Sequence, residues 1–515
     1  MNFENDSNNL TDSQDFFRQV KSSSAYVLSG KLILPIINIL VTIYVIRILS
    51  VDDYGIYNVL LAVMGYIGLL SSFGIPLILR RFVPEFHQQN DIKSIRKLVF
   101  QGSVLRLAMV IFFVLVVLLS SEFLGKVFKV ADFSSYFKIF LFAIIFSIEA
   151  KLIGAVLTAL FLHKYFMITE AVYAVARAAV LFVLLQAGYG LNGLLIAEAI
   201  AFFLHLTFFL YFYNQKFRKK RKIPAEEIKK TKLPYKRLAH FGLFSYLSEG
   251  GAQILDKSTD YLVISAFLNP HQVGLYAFAG KVMDLATRWM PHSLLFNVIE
   301  PAFLTKYAEK KDKRQLDRMF GMLLKTLAFT YFPIVAGIIS LGDKIIIHVF
   351  DPNYTASMTV LIIMAIFTGF NFFQLPLVLT IGTLEKVQLN FYSKIFSIYN
   401  LVLDLILVRP FGIIGIALAT SSAVFFKNMF LFIMISRHVK LHIPWNSLLR
   451  FFLNAGCMGL FCLMVKKYVN NLFFLIIIIA AGALVYLLVS FLNKGFSESD
   501  REVFNKIIGK RIFIF

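Results

Sequence analysis

Two carboxylates, Asp256 and Asp260, stand four residues apart in the later half of one apolar run. The next run carries Lys281, Asp284 and Arg288 at i, i+3 and i+7. Helical periodicity places each set on one face. An ionised side chain at the middle of a bilayer costs about 2.5–3.5 kcal/mol on insertion scales, so charges repeated along apolar helices mark a solvated cavity or internal ion pairs. On the cavity reading, Lys31, Lys257, Lys281 and Arg288 are candidates to hold an anionic headgroup. Asp256, Asp260 and Asp284 are candidates for ion coupling or for balancing the cations. Asp260 is the first choice for coupling and Asp256 the second, with Asp284 a counter-ion between Lys281 and Arg288. Lys31, Pro35, Asn38 and Thr42 form a polar stripe on the first run. Pro35 and, near the end of the eighth run, Pro291 are candidate helix hinges. On the alternative reading the charges are helix-to-helix glue, for example Lys281 with Asp284. Glue is the preferred reading for Glu149 with Lys151 and for Glu170 with Arg177.

The elements that hold these residues are membrane helices. The chain has 515 residues, 58% hydrophobic, with 56 Phe, 22 Tyr and a mean hydropathy of +0.73. The apolar residues come in runs of about 20, the length that crosses roughly 30 Å of hydrocarbon as a helix. Fourteen runs qualify: 26–48, 56–79, 98–120, 137–162, 165–187, 190–213, 241–266, 273–300, 320–341, 355–381, 387–408, 412–435, 446–465 and 472–491. With the N-terminus inside, the inside segments hold 33 Lys and Arg against 7 outside. That is the bias that membrane insertion imposes. Both termini are therefore expected in the cytoplasm. The basic segment "KFRKKRK" (216–222) reads as a cytoplasmic loop facing anionic lipid rather than a nucleic-acid site. The polar, acidic start of the chain has no signal-peptide pattern, so the first run is expected to be an uncleaved span.

Cys457 and Cys462 share one apolar run and read as packing residues. No phosphate-binding G-x-x-x-x-G-K-[ST], no H-E-x-x-H and no Cys/His cluster occurs in the sequence. The expectation is no catalytic residue, no metal and no cofactor.

The stretch "LSVDDYGIYNVLLAVMG" (49–65) returns as "LNPHQVGLYAFAGKVMD" (268–284), Gly55 matching Gly274 at an offset of 219. "YGLNGLLIAEAIAFF" (189–203) returns as "FGIIGIALATSSAVF" (411–425), at an offset of 222. Two landmarks at nearly one offset describe two homologous six-helix bundles in parallel orientation. The expected organisation is an N-tail (1–25), a first bundle (26–213), a basic linker (214–240), a second bundle (241–435), two extra spans (446–491) and a C-tail (492–515).

"LSVDDYGIYNVLLAVMGYIGLLSSFGIPLILRRFVPEF" resembles the first two helices of the polysaccharide-transport flippases, and "FGIIGIALATSSAVFF" is similar to their twelfth helix. The resemblance covers roughly residues 25–490. It implies the all-α fold of the multidrug/oligosaccharidyl-lipid/polysaccharide exporters. By that resemblance the chain is a plasma-membrane flippase that moves a polyprenyl-diphosphate-linked oligosaccharide by alternating access, without chemistry of its own. Its partners would be that glycan, membrane lipids, and the glycosyltransferases and polymerase of the same pathway, with no nucleic acid. A cell-wall precursor flippase and a cation-coupled drug exporter share the fold. An integral-membrane polymerase or glycosyltransferase is the rival of another class.

Overall fold

The computed structural model describes residues 34–508 except 90, 219–232, 289, 291–311 and 387. Lys31 and Pro291 lie outside the described residues. The described chain is helical, with no strand, and ten of its segments are long and apolar enough to cross a membrane. In chain order its helices are α1 (Leu34–Ile48), α2 (Val51–Leu70), α3 (Ile75–Gln88), α4 (Ile92–Leu119), α5 (Ser121–Val127), α6 (Phe133–Ala159), α7 (His163–Gln186), α8 (Gly190–Arg218), α9 (Tyr235–Ile254), α10 (Lys257–Phe267) and α11 (Pro270–Thr287). They continue with α12 (Lys313–Val349), α13 (Met358–Thr368), α14 (Gln374–Thr383), α15 (Gln388–Tyr392), α16 (Ile395–Ser436), α17 (Trp445–Val465), α18 (Leu472–Asn493) and α19 (Glu498–Ile508).

The repeated motif is a helix-starting device. Ser50 caps α2 by accepting from the Asp53 amide, and Asp52 and Asp53 place negative charge at the positive end of the helix. Asn269 caps α11 by accepting from the Gln272 amide, and Pro270 stands at the first helical position. Its ring supplies the φ the helix needs. Each cap stands five residues before the motif glycine, so Tyr57 and Tyr276 take matching places on the buried sides of their helices.

Three of the expected spans are broken among the described residues; one of them, run 355–381, divides into α13 and α14 across residues 369–373. Run 56–79 divides into α2 and α3 at a turn over 71–74. Gly74 is left-handed there at φ +70°, and a Cβ on it would collide with the Gly242 backbone. Only glycine meets both demands. Run 241–266 divides into α9 and α10, and Asp256 caps the second piece by accepting from the Ser258 amide at 2.9 Å. By contrast, run 412–435 and the part of run 387–408 from residue 395 onward fall within one helical stretch, α16, that doubles back after Pro410. Gly412 has the non-helical values φ +57°, ψ −138° there. A straight helix would hold residues 407 and 415 about 12 Å apart. Yet a Cβ on Gly415 would overlap the Leu407 carbonyl, and Tyr399 and Ser422 meet at 3.5 Å.

The chain divides into two compact units, residues 1–253 and 254–515. In the first, α6 is the central helix: two thirds of its apolar window is buried, and it packs against α8, α3 and α4. In the second, α12, α14 and α17 share a core around Phe320, Leu324, Leu377 and Phe451. A smaller cluster centred on Met458, Cys462, Leu475 and Ile478 joins α17 to α18. Asn454 supports that junction, donating to Ser490 at 3.1 Å and accepting from Asn493 at 2.8 Å.

Candidate functional site

The second unit buries a carboxylate, Asp260, that no Lys or Arg bridges among the described residues. Asp260 has no exposed surface. One of its oxygens, Oδ2, accepts from the Tyr276 hydroxyl at 2.6 Å and the Thr420 hydroxyl at 3.0 Å. The other, Oδ1, has no hydrogen-bond partner. Asp404, also fully buried, is close enough to repel Asp260. It accepts from the Asn400 amide at 3.2 Å, while its Oδ1 and the Asn400 carbonyl oxygen have no partner. Three buried oxygens thus lack donors, on two carboxylates and an amide drawn from α10 and α16. A buried polar atom without a partner costs roughly 1–3 kcal/mol, more when charged. A proton or a cation at these oxygens would offset that cost. All the donors are oxygens, which suits a hard ion. Among the described residues no group of three or more His, Cys, Asp or Glu is placed to hold a metal ion.

A cavity of about 220 Å³ reaches the back of this cluster. Tyr276 and Thr420, which hold Asp260, are among its lining residues. Lys257 and Asp284 line it too. Lys257 Nζ donates to Asp284 at 2.7 Å and to the Gly280 carbonyl at 3.1 Å. That pair is accessible, with side-chain exposures of 35% for Lys257 and 62% for Asp284.

The first unit contains a counterpart. Tyr57, at the position matching Tyr276, donates to Glu198 Oε1 at 2.7 Å. Glu198 matches Thr420 at the second repeat offset, 222. Here the carboxylate is already compensated: Arg177 Nε and Nη2 donate to the same oxygen at 2.8 and 2.6 Å, with both side chains largely buried.

The other expected residues fall as follows. Asp256 is spent as a helix cap. Asp284 pairs with Lys257, on the neighbouring helix, rather than with Lys281. Lys281 is half-buried, Arg288 is exposed at the end of α11, and neither is in the cavity lining. Pro35 is buried in α1, where Thr42 back-bonds to the Asn38 carbonyl at 2.7 Å. Glu170 meets His205 at 3.2 Å, so neither Glu170 nor Arg177 pairs within its own helix. Side chains seven residues apart are about 10 Å apart along the axis, beyond direct reach. Arg106 and Glu149 are buried in the first unit with unpartnered polar atoms. Sequence reasoning missed Asn400, Asp404 and Thr420. A signal existed in "YNLVLDLILV", where Asn400 and Asp404 are the polar residues of an otherwise apolar helix at i, i+4.

This helical membrane fold, with its polar cavity and buried carboxylate pair, has relatives among known proteins. The family model described as "Polysaccharide biosynthesis protein" matches residues 20–290, more than half of the chain, and the chain belongs to that family. Among curated proteins it is 25% identical over 248 residues to the "Probable low-salt glycan biosynthesis flippase Agl15" of Haloferax volcanii, covering 47% of this chain and 51% of that one. It is 26% identical over 208 residues to "Lipid II flippase MurJ" of Thermosipho africanus, covering 39% and 42%. The chain thus matches about half the length of these relatives. A solved structure of "Lipid II flippase MurJ, inward closed conformation" superposes with TM-score 0.70 at 17% identity, over 95% of this chain and 99% of that one. An inward-facing "multidrug resistance MATE family transporter of the MOP superfamily" superposes at 0.64 with 13% identity, over 80% and 98%. The expected fold class stands: this is a multi-pass, all-helical membrane protein with the fold of those two structures. The ten apolar segments do not by themselves establish the count of fourteen.

Proposed function

We propose that this protein is a flippase for a polyprenyl-diphosphate-linked oligosaccharide, delivering it to the outer leaflet of the plasma membrane for surface polysaccharide assembly. The observation that carries the reading is the accessible Lys257–Asp284 pair in a cavity that backs onto the buried Asp260–Asp404 cluster. An anionic diphosphate competes with Asp284 for Lys257, and the pair is exposed enough to open. Tyr276 and Thr420 touch both the cavity and Asp260, so a proton or cation at Asp260 alters the wall that the headgroup meets. This shared wall is a physical route for coupling the two. Lys31, Lys281 and Arg288 are proposed to meet the headgroup at other stages of the cycle. The chain performs no covalent step, and its termini lie in the cytoplasm.

The test is reconstitution in proteoliposomes with a lipid-linked oligosaccharide, following the glycan's exposure to an impermeant enzyme outside. The protein should accelerate transbilayer movement, and an imposed proton or sodium gradient should drive it. Movement no faster than in protein-free vesicles overturns the reading. Faster movement of a peptide-bearing cell-wall precursor than of plain oligosaccharide carriers favours the precursor flippase of the same fold. Lengthening of the glycan identifies a polymerase.

A further inference from the structure

The first unit carries a second, unrelated cavity, of about 1190 Å³, where α3 meets the start of α9. Its rim is cationic: Arg81 on α3 and Lys236 and Arg237 on α9, with His240 a turn further on. Glu85 is the counter-charge, bridging Arg81 at 3.1 Å and Arg237 at 2.8 and 3.2 Å. These hydrogen bonds, the Arg237 bond foremost, hold the Glu85 carboxyl below the usual range, so it stays ionised. One carboxylate against two guanidinium groups and an ammonium leaves net positive charge. The guanidinium groups are held in place by stacking. Arg237 lies 4.9 Å and Arg81 5.6 Å from the centre of the Phe82 ring. Phe82 in turn meets Phe241 edge-to-face at 5.7 Å.

The cavity is apolar below its rim. Phe241 and Phe244 line it, and the face of α9 continues away from the cations through exposed Leu243, Phe244 and Leu247. A cationic rim above an apolar strip is complementary to a lipid with a phosphorylated head. The rim also belongs to segments 80–97 and 214–240, two of the most basic stretches of the chain. Charge bias places such stretches at the cytoplasmic leaflet.

We propose that this cleft binds the phosphoryl headgroup of an anionic lipid, with Arg81, Lys236 and Arg237 on the phosphate and the lipid chain along Leu243, Phe244 and Leu247. The lipid is either a bulk glycerophospholipid or a phosphorylated isoprenoid. The second source rests on the proposed function and the first does not.

The experiment uses the full chain in detergent and counts retained lipid by native mass spectrometry. The probes are dioleoyl phosphatidylglycerol, dioleoyl phosphatidylcholine, undecaprenyl phosphate and inorganic phosphate. An anionic lipid should be retained over phosphatidylcholine, and Arg81→Gln/Lys236→Gln should weaken that retention about tenfold, as expected for two basic groups near an anionic surface. Arg314→Gln, on the second unit, serves as the charge control and should leave retention unchanged. Phe244→Ala should weaken lipid retention although it removes no charge. Retention of phosphatidylglycerol assigns the site to bulk lipid, and retention of undecaprenyl phosphate alone assigns it to the carrier. Equal retention of phosphatidylcholine, equal loss in Arg314→Gln, or inorganic phosphate binding as well as lipid would each overturn the proposal. Because lipid retention is read without transport, failure here leaves the flippase reading to its own test.

Discussion

The two units answer the same problem in opposite ways. Each presents a buried tyrosine hydroxyl, Tyr57 or Tyr276, at the same place in its repeat, and each aims it at a buried carboxylate. In the first unit the carboxylate is Glu198 on α8, and Arg177 supplies a permanent cation. In the second, the position matching Glu198 is Thr420 and the position matching Arg177 is Tyr399. The carboxylates come instead from Asp260 and Asp404, whose counterparts at the repeat offsets are Val41 and Phe182. No Lys or Arg is paired with them among the described residues, and oxygens on both remain without donors. A fixed guanidinium makes a lock, because the charge it satisfies never changes. A carboxylate cluster without one is satisfied by a proton or cation from solution, which is the property that the proposed coupling requires. On the proposed function, the compensated frame is structural and the uncompensated one exchanges an ion.

The sharpest way to break this comparison is to remove the resident cation. Arg177→Met leaves Glu198 buried and uncompensated, which costs about 3–5 kcal/mol when one partner of a buried pair is lost. The apparent melting temperature in detergent should fall steeply. Arg177→Met/Glu198→Gln should recover most of it, since neither charge then remains. If the double variant melts as low as the single, the pair is not a lock.

Asp260→Asn is the matching change in the second unit and should behave differently. It keeps the shape and removes the charge, so stability should hold or rise. Gradient-driven transport should fall by a factor within the usual range of site-to-site coupling, roughly 5- to 150-fold. Asp404→Asn should act in the same direction and less strongly, because Asp404 makes no bond to the cavity wall. Unchanged gradient dependence in Asp260→Asn would move the coupling site elsewhere.

Much of this was legible before the coordinates. The 219 and 222 offsets follow from helix-starting and hairpin residues, whose backbone demands leave a mark in sequence. Asp260 stood out because a carboxylate in an apolar run is costly wherever it is. Its partners did not stand out. Which residue compensates a buried charge depends on neighbouring helices, and spacing along one helix carries no information about the next. That is why Asp284 pairs with Lys257 rather than with Lys281, and why Arg177 pairs with Glu198 on α8 rather than with Glu170 two turns away. The i, i+4 spacing makes Asp256 a face-mate of Asp260, but the helix starts there, and a cap residue points its carboxylate at backbone amides. Asp404 carried the same signal, an acid in an apolar run with Asn400 four residues before it, and was passed over because no second charge stands beside it.

Paired tyrosine substitutions refine the contrast at smaller amplitude. Tyr57→Phe removes one of three donors to Glu198, and Arg177 still holds the same oxygen. Tyr276→Phe removes one of two donors to Asp260. Loss of a hydrogen bond to a charged group is worth roughly 1.5–3 kcal/mol. Tyr276→Phe should therefore shift the ion concentration or pH at which transport is half-driven, and Tyr57→Phe should shift neither. Equal effects from both would mean that the two tyrosines are packing residues with the same duty.

The smallest predicted effect concerns the frames themselves. Gly190 and Gly412 both stand at positive φ, +50° and +57°, where their two hairpins turn. The surroundings are open: a Cβ on Gly190 would meet nothing within 4 Å, and one on Gly412 only a Leu268 methyl at 3.8 Å. Alanine at either place is therefore penalised by the backbone alone, at about 1–2 kcal/mol for a left-handed residue. Gly412→Ala should be the costlier, because its ψ of −138° lies toward the region that only glycine visits. Both variants should lower the melting midpoint by a few degrees. They should differ in function, however, since Gly412 joins the two arms of α16 that bring Asp404 and Thr420 to Asp260, whereas Gly190 joins α7 and α8, which carry Arg177 and Glu198. Gly412→Ala should change the ion dependence of transport and Gly190→Ala should change only stability. If Gly190→Ala shifts ion dependence as much as Gly412→Ala does, the first unit takes part in exchange, and the division between a locked and an exchanging half is wrong.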